Sequence, residues 1–240
     1  MKATKRIQKK QWRAKTTTSI KSLPHDLIVE IVAQLVSLSS TPVSDLENLQ
    51  MTCKMFRTAS KAKLVGQHIS LEKEWSMHWW NKERYFAILN SCAAAGNLKA
   101  CFILGLENVF NLESLNLGLR YLEKAMVGGH DAATYTMGIL LFGDHRTRQI
   151  GMEYLNKIGV VSGGTEDSER MKFQNPYFEQ CRRQVIESVR RITMKRWSPR
   201  QIERCTSPTC GRVEGWEERQ SFCSELCKWT SEYFQFYTQV

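Results

Sequence analysis

One stretch of this chain repeats itself, and the repeat constrains the fold more than any other feature. The segment "AAAGNLKACFILGLENVF" aligns without a gap on "MVGGHDAATYTMGILLFG". Gly96 meets Gly129, Ala100 meets Ala133 and Gly105 meets Gly138, each pair 33 residues apart. The register holds further on, where "GLRYLEKA" meets "GMEYLNKI". Gly118, Tyr121, Leu122 and Lys124 pair with Gly151, Tyr154, Leu155 and Lys157 at the same offset of 33. A fixed period of this length marks stacked supersecondary units. Each unit reads as helix, turn, helix. A glycine inside a helix costs up to about 1 kcal/mol against alanine. Its recurrence at one register in apolar helices predicts that two helices cross closely there. Glu107, beside these glycines, is expected on the exposed side. Two units rarely stand alone, so neighbours are expected to cap them: the helix "NKERYFAILNSCAAA" in front and the helix after Pro176 behind.

The repeat resembles tetratricopeptide and Sel-one-like repeats. That resemblance implies a short α-solenoid of helical hairpins that binds protein on its concave face. A plainer alternative is that two units only space the flanking modules.

Ahead of the repeat, "SLPHDLIVEIVAQLVSLS" sets Leu27, Ile31 and Leu35 four residues apart, with Ile28 and Val32 beside them. That is the wide apolar stripe of a helix. Ser22 is expected to cap it, with Pro24 early in the first turn and Asp26 favoured by the helix dipole. Thr41-Pro42 stops it. Ser44 is expected to cap a second helix, "DLENLQMT", and "CKMFRTASKAKLV" to form a third. Three helices this short cannot close a good core alone and leave apolar surface for a partner. Leu23-Pro24, Leu27, Ile31, Leu35, Leu46, Leu49, Cys53, Lys54, Phe56 and Arg57 stand in the order and spacing of an F-box. The resemblance runs from Ile20 to Val65 and departs from the pattern in the longer "SLSSTPVSD" connection. It implies docking onto the small Skp-type adaptor of a cullin–RING ubiquitin ligase through Leu23, Pro24, Leu27, Ile31, Leu35, Leu46, Leu49 and Phe56. The bland alternative is a three-helix core with no partner.

The C-terminus holds four of the eight cysteines, Cys205, Cys210, Cys223 and Cys227, spaced C-x(4)-C-x(12)-C-x(3)-C. Short-spaced pairs let two sulfurs converge on one ion, and the loop between returns the second pair to complete a tetrahedron. One zinc ion is the expected cofactor. Pro208 and Gly211 favour a tight turn in the first pair. Ser224 is expected to cap a helix with Cys227 in its first turn, where N–H groups lower a thiol's pKa. Trp216, Phe222, Trp229 and Tyr233 are expected to pack around the site. "FCSELC" resembles the second half of MYND-type and related treble-clef fingers, but that family binds two zincs and ends in a histidine, and no His follows His145. Four reduced, unliganded cysteines are the alternative. Cys53, Cys92, Cys101 and Cys181 fall on apolar helix faces and read as small buried hydrophobes.

Composition bounds the rest. Hydrophobic residues make up 42% and charged residues 24% of the 240, which is ordinary for a soluble globular protein. No window nears the roughly 18 uninterrupted apolar residues of a membrane span, and the N-terminus lacks a signal peptide's apolar core. Reduced thiols are then the default. The net charge of +10 is uneven: "MKATKRIQKKQWRAKTTTSIK" carries eight Lys or Arg and no acid. Such a tail is expected to be disordered. It reads as solvated, as a nuclear-import cluster or, less well, as a transit peptide. "GVVSGGTEDSER" reads as a linker, and "PYFEQCRRQVIESVRRITMKRW" as a basic amphipathic helix. No phosphate loop, nucleophile elbow or His-Glu-x-x-His occurs, so a non-catalytic role is expected.

The expected order is a disordered basic tail over 1–19, the F-box over 20–66, repeats with a capping helix over 67–160, a flexible linker over 161–175, a basic helix over 176–200 and a four-cysteine finger with a C-terminal helix over 201–240. The fold class is mainly α: a three-helix F-box, a short α-solenoid and a small treble-clef-like zinc finger. The combination resembles a plant family of F-box proteins. That implies a substrate receptor of an SCF-type ubiquitin ligase, a monomer within a larger complex, holding an unidentified protein substrate in the nucleus and/or cytoplasm. The alternative is a nuclear zinc-finger protein touching nucleic acid through its basic segments, and a third is a repeat scaffold outside any ligase.

Overall fold

The 33-residue period appears in the computed structural model as two helical hairpins. The structure describes residues 20–111, 114–158, 176–208, 210, 212–214 and 219–240. The basic tail over 1–19, the linker over 161–175, Gly211 and Trp216 lie outside the described residues.

The N-terminal unit contains α1 (His25–Leu38), α2 (Pro42–Thr52), α3 (Lys54–Ala59) and α4 (Lys63–His68). Ile28, Val29, Val32, Ala33 and Val36 turn inward from α1, and the helix packs on α2, α3 and α4. Three sequence expectations are corrected here. Ser22 belongs to a 3-10 turn, and Pro24 takes the cap position of α1 without a side-chain cap. Ser44 lies inside α2, which begins at Pro42, where the missing N–H costs nothing. The expected third helix is two, because the chain leaves helical geometry at Ala62, whose extended backbone (ψ 142) restarts it as α4.

Two short pieces follow, a 3-10 turn over Glu74–Ser76 and α5 (Met77–Trp80). Then come α6 (Lys82–Ala95) and the hairpins α7 (Leu98–Phe110) with α8 (Leu115–Val127) and α9 (Asp131–Phe142) with α10 (Arg148–Lys157). Helix α6 packs against both α4 and α7, as expected of an N-terminal cap. Both repeats turn alike. Gly96 and Gly129 adopt φ of 99° and 92°, a left-handed geometry that strains any residue with a Cβ. The next residue caps the following helix: Asn97 Oδ1 accepts from the Ala100 N–H at 3.0 Å, and His130 Nδ1 from the Ala133 N–H at 3.3 Å.

The glycine register is a packing register. A Cβ on Gly105 would stand 2.6 Å from Leu122 Cγ, and one on Gly138 2.7 Å from Leu155 Cγ. On the facing helices, Cβ atoms on Gly118 and Gly151 would strike the Gly105 and Gly138 carbonyl oxygens at 2.9 and 2.7 Å. Each hairpin thus closes on a glycine pair, backbone against backbone.

The C-terminal part holds α11 (Pro176–Ile192), a short antiparallel pair β1 (Arg212–Glu214) and β2 (Arg219–Ser221) in register Arg212 to Ser221, and α12 (Glu225–Gln239). Helix α11 was expected to close the far end of the repeats. Instead it lies across α7 and α9, the first helices of the two hairpins, while α12 packs on α11 and α9. Phe178, Cys181, Val185, Ile186, Val189 and Ile192 of α11 are buried there. Every residue of α7 from Ala100 to Phe110 is therefore buried, Glu107 included. Among the described residues no helix is long and apolar enough to cross a membrane.

Candidate docking face and metal centre

The wide stripe of α1 divides into two. Ile28, Val32 and Val36 point into the core, while Leu27, Ile31 and Leu35, one residue earlier in each turn, face outward. Leu27 is 51% exposed and Ile31 45%. Leu23 and Pro24 are exposed at the start of the same face. Leu46 and Leu49 on α2 and Phe56 on α3 are half-buried and pack on the core. Water gains nothing from such a row of aliphatics, and a contiguous exposed apolar patch marks an interaction surface. The eight positions divide accordingly, five on the open face or at its start and three anchored beneath.

The four C-terminal cysteines come together. Cys205 and Cys210 precede the β-pair, with the Cys210 N–H donating to the Ser207 carbonyl at 3.2 Å in a turn. Cys223 follows β2, and Cys227 sits in the first turn of α12. Ser224 caps that helix, accepting from the Cys227 N–H at 3.2 Å while its hydroxyl lies 3.3 Å from the Cys227 sulfur. Cys223 Sγ stands 3.3 Å from the sulfurs of Cys205 and Cys210 and 3.4 Å from that of Cys227, and all four lie within 4.8 Å of one another. Zinc at about 2.3 Å from each sulfur requires sulfurs about 3.8 Å apart, so the observed spacings bracket a tetrahedral site. They are far too long for disulfides. Four close cysteines can hold a metal ion, and among the described residues no other His, Cys, Asp or Glu group can. The thiols differ. The Ser224 hydroxyl and the Cys223 sulfur pull Cys227 down to about 7, while the crowding sulfurs of Cys210, Cys205 and Cys227 push Cys223 up to about 12. A cation relieves that crowding.

The site is not a detached appendage. Trp229, Tyr233 and Phe236 of α12 are buried. Phe236 meets Tyr135 and Phe110 with centroids 6.0 and 6.4 Å apart, Tyr233 meets Phe142 at 5.7 Å, and Trp229 meets Phe178 at 5.7 Å. Tyr135 Oη donates to Glu232 Oε1 at 2.6 Å, and Arg182 Nε lies 3.1 Å from the same oxygen. One buried carboxylate thus joins α9, α11 and α12. Burial raises its pKa, and Arg182 opposes that rise.

Two features escaped sequence reasoning. Glu107 was expected to be exposed; its side chain is 0% exposed, with Oε1 2.6 Å from His78 Nε2 and Oε2 accepting from Asn111 Nδ2 at 3.0 Å. His78 is itself buried, edge-on to Trp79 and Tyr85. The glutamate's apolar neighbours, Leu106 and Val109, were the available signal. The second is the cover on the repeats. The face of the hairpins formed by their first helices, where a partner was expected, is filled by the chain's own α11. The high apolar content of α7 and α9 on all sides was the clue. As expected, Cys92, Cys101 and Cys181 are buried, and burial lifts the Cys92 and Cys181 thiols to about 11. Cys53, expected to be buried with them, is half-buried because it stands at the extended cap position of α3 rather than on a helix face.

Comparison with known proteins fits this layout. Residues 72–190 match the family model described as plant tetratrico peptide repeats. Curated relatives are F-box proteins of Arabidopsis thaliana. F-box protein At1g67340 is 29% identical over 122 residues, 50% of this chain and 32% of the relative. The putative F-box protein At1g67623 is 28% identical over 163 residues, 68% of this chain and 53% of the relative. F-box protein At2g35280 is 28% identical over 149 residues, 58% of this chain and 82% of the relative. The chain thus spans about a third to a half of the first two relatives. No solved structure matches.

Proposed function

We propose that this chain is a substrate-recognition subunit of an SCF-type (cullin–RING) ubiquitin ligase, with an F-box over 20–66 that binds the Skp-type adaptor. The observation that carries the proposal is the outward aliphatic row Leu27, Ile31 and Leu35 on α1, in a chain whose relatives are named F-box proteins. Leu23 and Pro24 extend that face, and Leu46, Leu49 and Phe56 form the half-buried base. The chain then performs no chemistry itself. It holds an unidentified target near the ubiquitin donor, as one monomer of a larger complex, in the nucleus and/or cytoplasm. Cys205, Cys210, Cys223 and Cys227 hold one structural zinc in a treble-clef-like finger, closed because four thiolates fill the tetrahedron. Because α11 covers the inner helices of the repeats, the target is received on the remaining surface.

The test uses the exposure of the row. Leu27→Ala with Ile31→Ala removes apolar contact area without opening a cavity in the chain's own core. Burial against a partner is worth about 1.5–3 kcal/mol per aliphatic side chain, so the double variant should lose adaptor capture by about a hundredfold or more while its thermal midpoint stays within a few degrees. Undiminished capture of recombinant Skp-type adaptor by the double variant rejects the F-box reading.

A further inference from the structure

With the inner face of the repeats filled, the turn between α9 and α10 meets the connector that follows α11 in an open cleft of about 400 Å³. Three arginines line it, Arg146 and Arg148 from the repeat and Arg200 from the connector, together with His145. One acid, Asp144, stands among them. Its Oδ2 lies 3.2 Å from Arg200 Nη1, and its Oδ1 accepts from the Arg146 backbone N–H at 3.0 Å, with His145 Nδ1 at 3.5 Å. Asp144 is therefore committed to Arg200. Arg146, exposed, and Arg148, half-buried, have no acidic partner among the described residues.

The cleft is positioned by the fold. The Arg200 N–H donates to Tyr233 Oη at 2.9 Å, which pins the connector to α12. A Cβ on Gly143 would stand 2.8 Å from the same oxygen, so this approach requires glycine. Arg148 is aimed by its Nε, 3.4 Å from the Phe142 carbonyl, and by the ring of Phe142, 5.6 Å from its guanidinium carbon. Two guanidinium groups lining one cleft without a counter-charge match a dianion, because each fork offers parallel N–H donors to two oxygens. A phosphomonoester carries close to two charges and three acceptor oxygens at neutral pH, where a carboxylate carries one charge and two oxygens. A nucleic-acid strand fits less well. It needs a continuous track and stacking rings, whereas no aromatic residue lines this cleft and Asp144 stands within it.

We propose that this arginine cleft binds a phosphorylated serine or threonine side chain of a protein partner. The partner being the ligase target rests on the function proposed above, but the cleft's chemistry does not. The experiment uses the full chain and a fluorescein-labelled pentapeptide with one central phosphoserine, read by anisotropy beside its unphosphorylated form and a thymidylate oligonucleotide. The phosphopeptide should bind about tenfold or more tighter than the unphosphorylated peptide. Arg146→Gln, which keeps the backbone N–H to Asp144, and Arg146→Gln with Arg148→Gln should abolish that preference at unchanged thermal midpoint. Equal binding of the two peptides, a phosphate preference that survives both variants, or binding of the oligonucleotide alone overturns the proposal. Adaptor capture by α1 is measured on different residues, so failure of one reading leaves the other standing.

Discussion

At the scale of single residues, buried polar partners and close glycines matter more than the exposed charges. Glu107 and His78 join α7 to α5 at 2.6 Å with both side chains out of water. Removing one partner of such a pair leaves the other buried without it, at a cost of about 1–3 kcal/mol. Glu107→Ala should therefore lower the urea midpoint of unfolding strongly, whereas Glu83→Ala, on the exposed face of α6, should leave it nearly unchanged. Gly138→Leu belongs to the same test. Its side chain would drive into Leu155 and the Gly151 carbonyl, and overpacking of this kind costs about 1–3 kcal/mol or more. Equal midpoints for the native chain, Glu107→Ala and Gly138→Leu would show that α7 and α9 are not packed as described.

At the scale of one element, the N-terminus of α9 carries a titrating cap. His130 Nδ1 accepts from the Ala133 N–H, which only an unprotonated Nδ1 can do, and the ring stacks on Phe102 with centroids 4.6 Å apart. Burial first, and the Lys99 charge second, lower its pKa to about 4. The unfolded chain has a His pKa of about 6.5, so between about 6.5 and 4 the unfolded state binds the extra proton. Stability then falls as the pH falls through that window, by at most about 1.4 kcal/mol per pH unit. Asn97 caps α7 at the equivalent position with an oxygen that does not titrate. His130→Asn should accordingly flatten this part of the profile while keeping the cap. Thermal midpoints of both chains from pH 7 to pH 4 check it, and parallel curves would reject the assignment.

At the scale of the whole molecule, the four-cysteine site and the repeats share a core. A core-free finger would unfold alone on loss of its ion, from about residue 201 onward. Here α12 starts at that site and continues as Trp229, Tyr233 and Phe236 among Phe178, Tyr135, Phe142 and Phe110. Stripping the metal with a strong chelator, or Cys223→Ser, should therefore expose α12 and loosen α11 on α9, leaving α1 to α4 protected. Hydrogen exchange read by mass spectrometry should show faster exchange in α12, α11 and α9 only. Metal analysis of the reduced, purified chain should give one zinc per chain, and a value near zero would defeat the site.

Local rules were legible wherever the chain's immediate neighbours decide the outcome. The 33-residue register, the glycine crossings, the Ser224 cap and the meeting of the four cysteines could be read from spacing, because helix periodicity and short loops leave few alternatives. Helix starts were less legible. Ser22 and Ser44 look like caps, but a proline stood ready at each helix start and served instead. What the sequence could not rank were contacts between distant segments. Leu27 and Ile28 are equally apolar, and only the placement of α2, α3 and α4 decides which faces water. Glu107 is buried, and its partner His78 comes from 29 residues earlier in the chain. The repeat face is closed because the chain returns α11 across it. Burial is set by which elements pack together, and that sum over long-range contacts exists only in the folded chain.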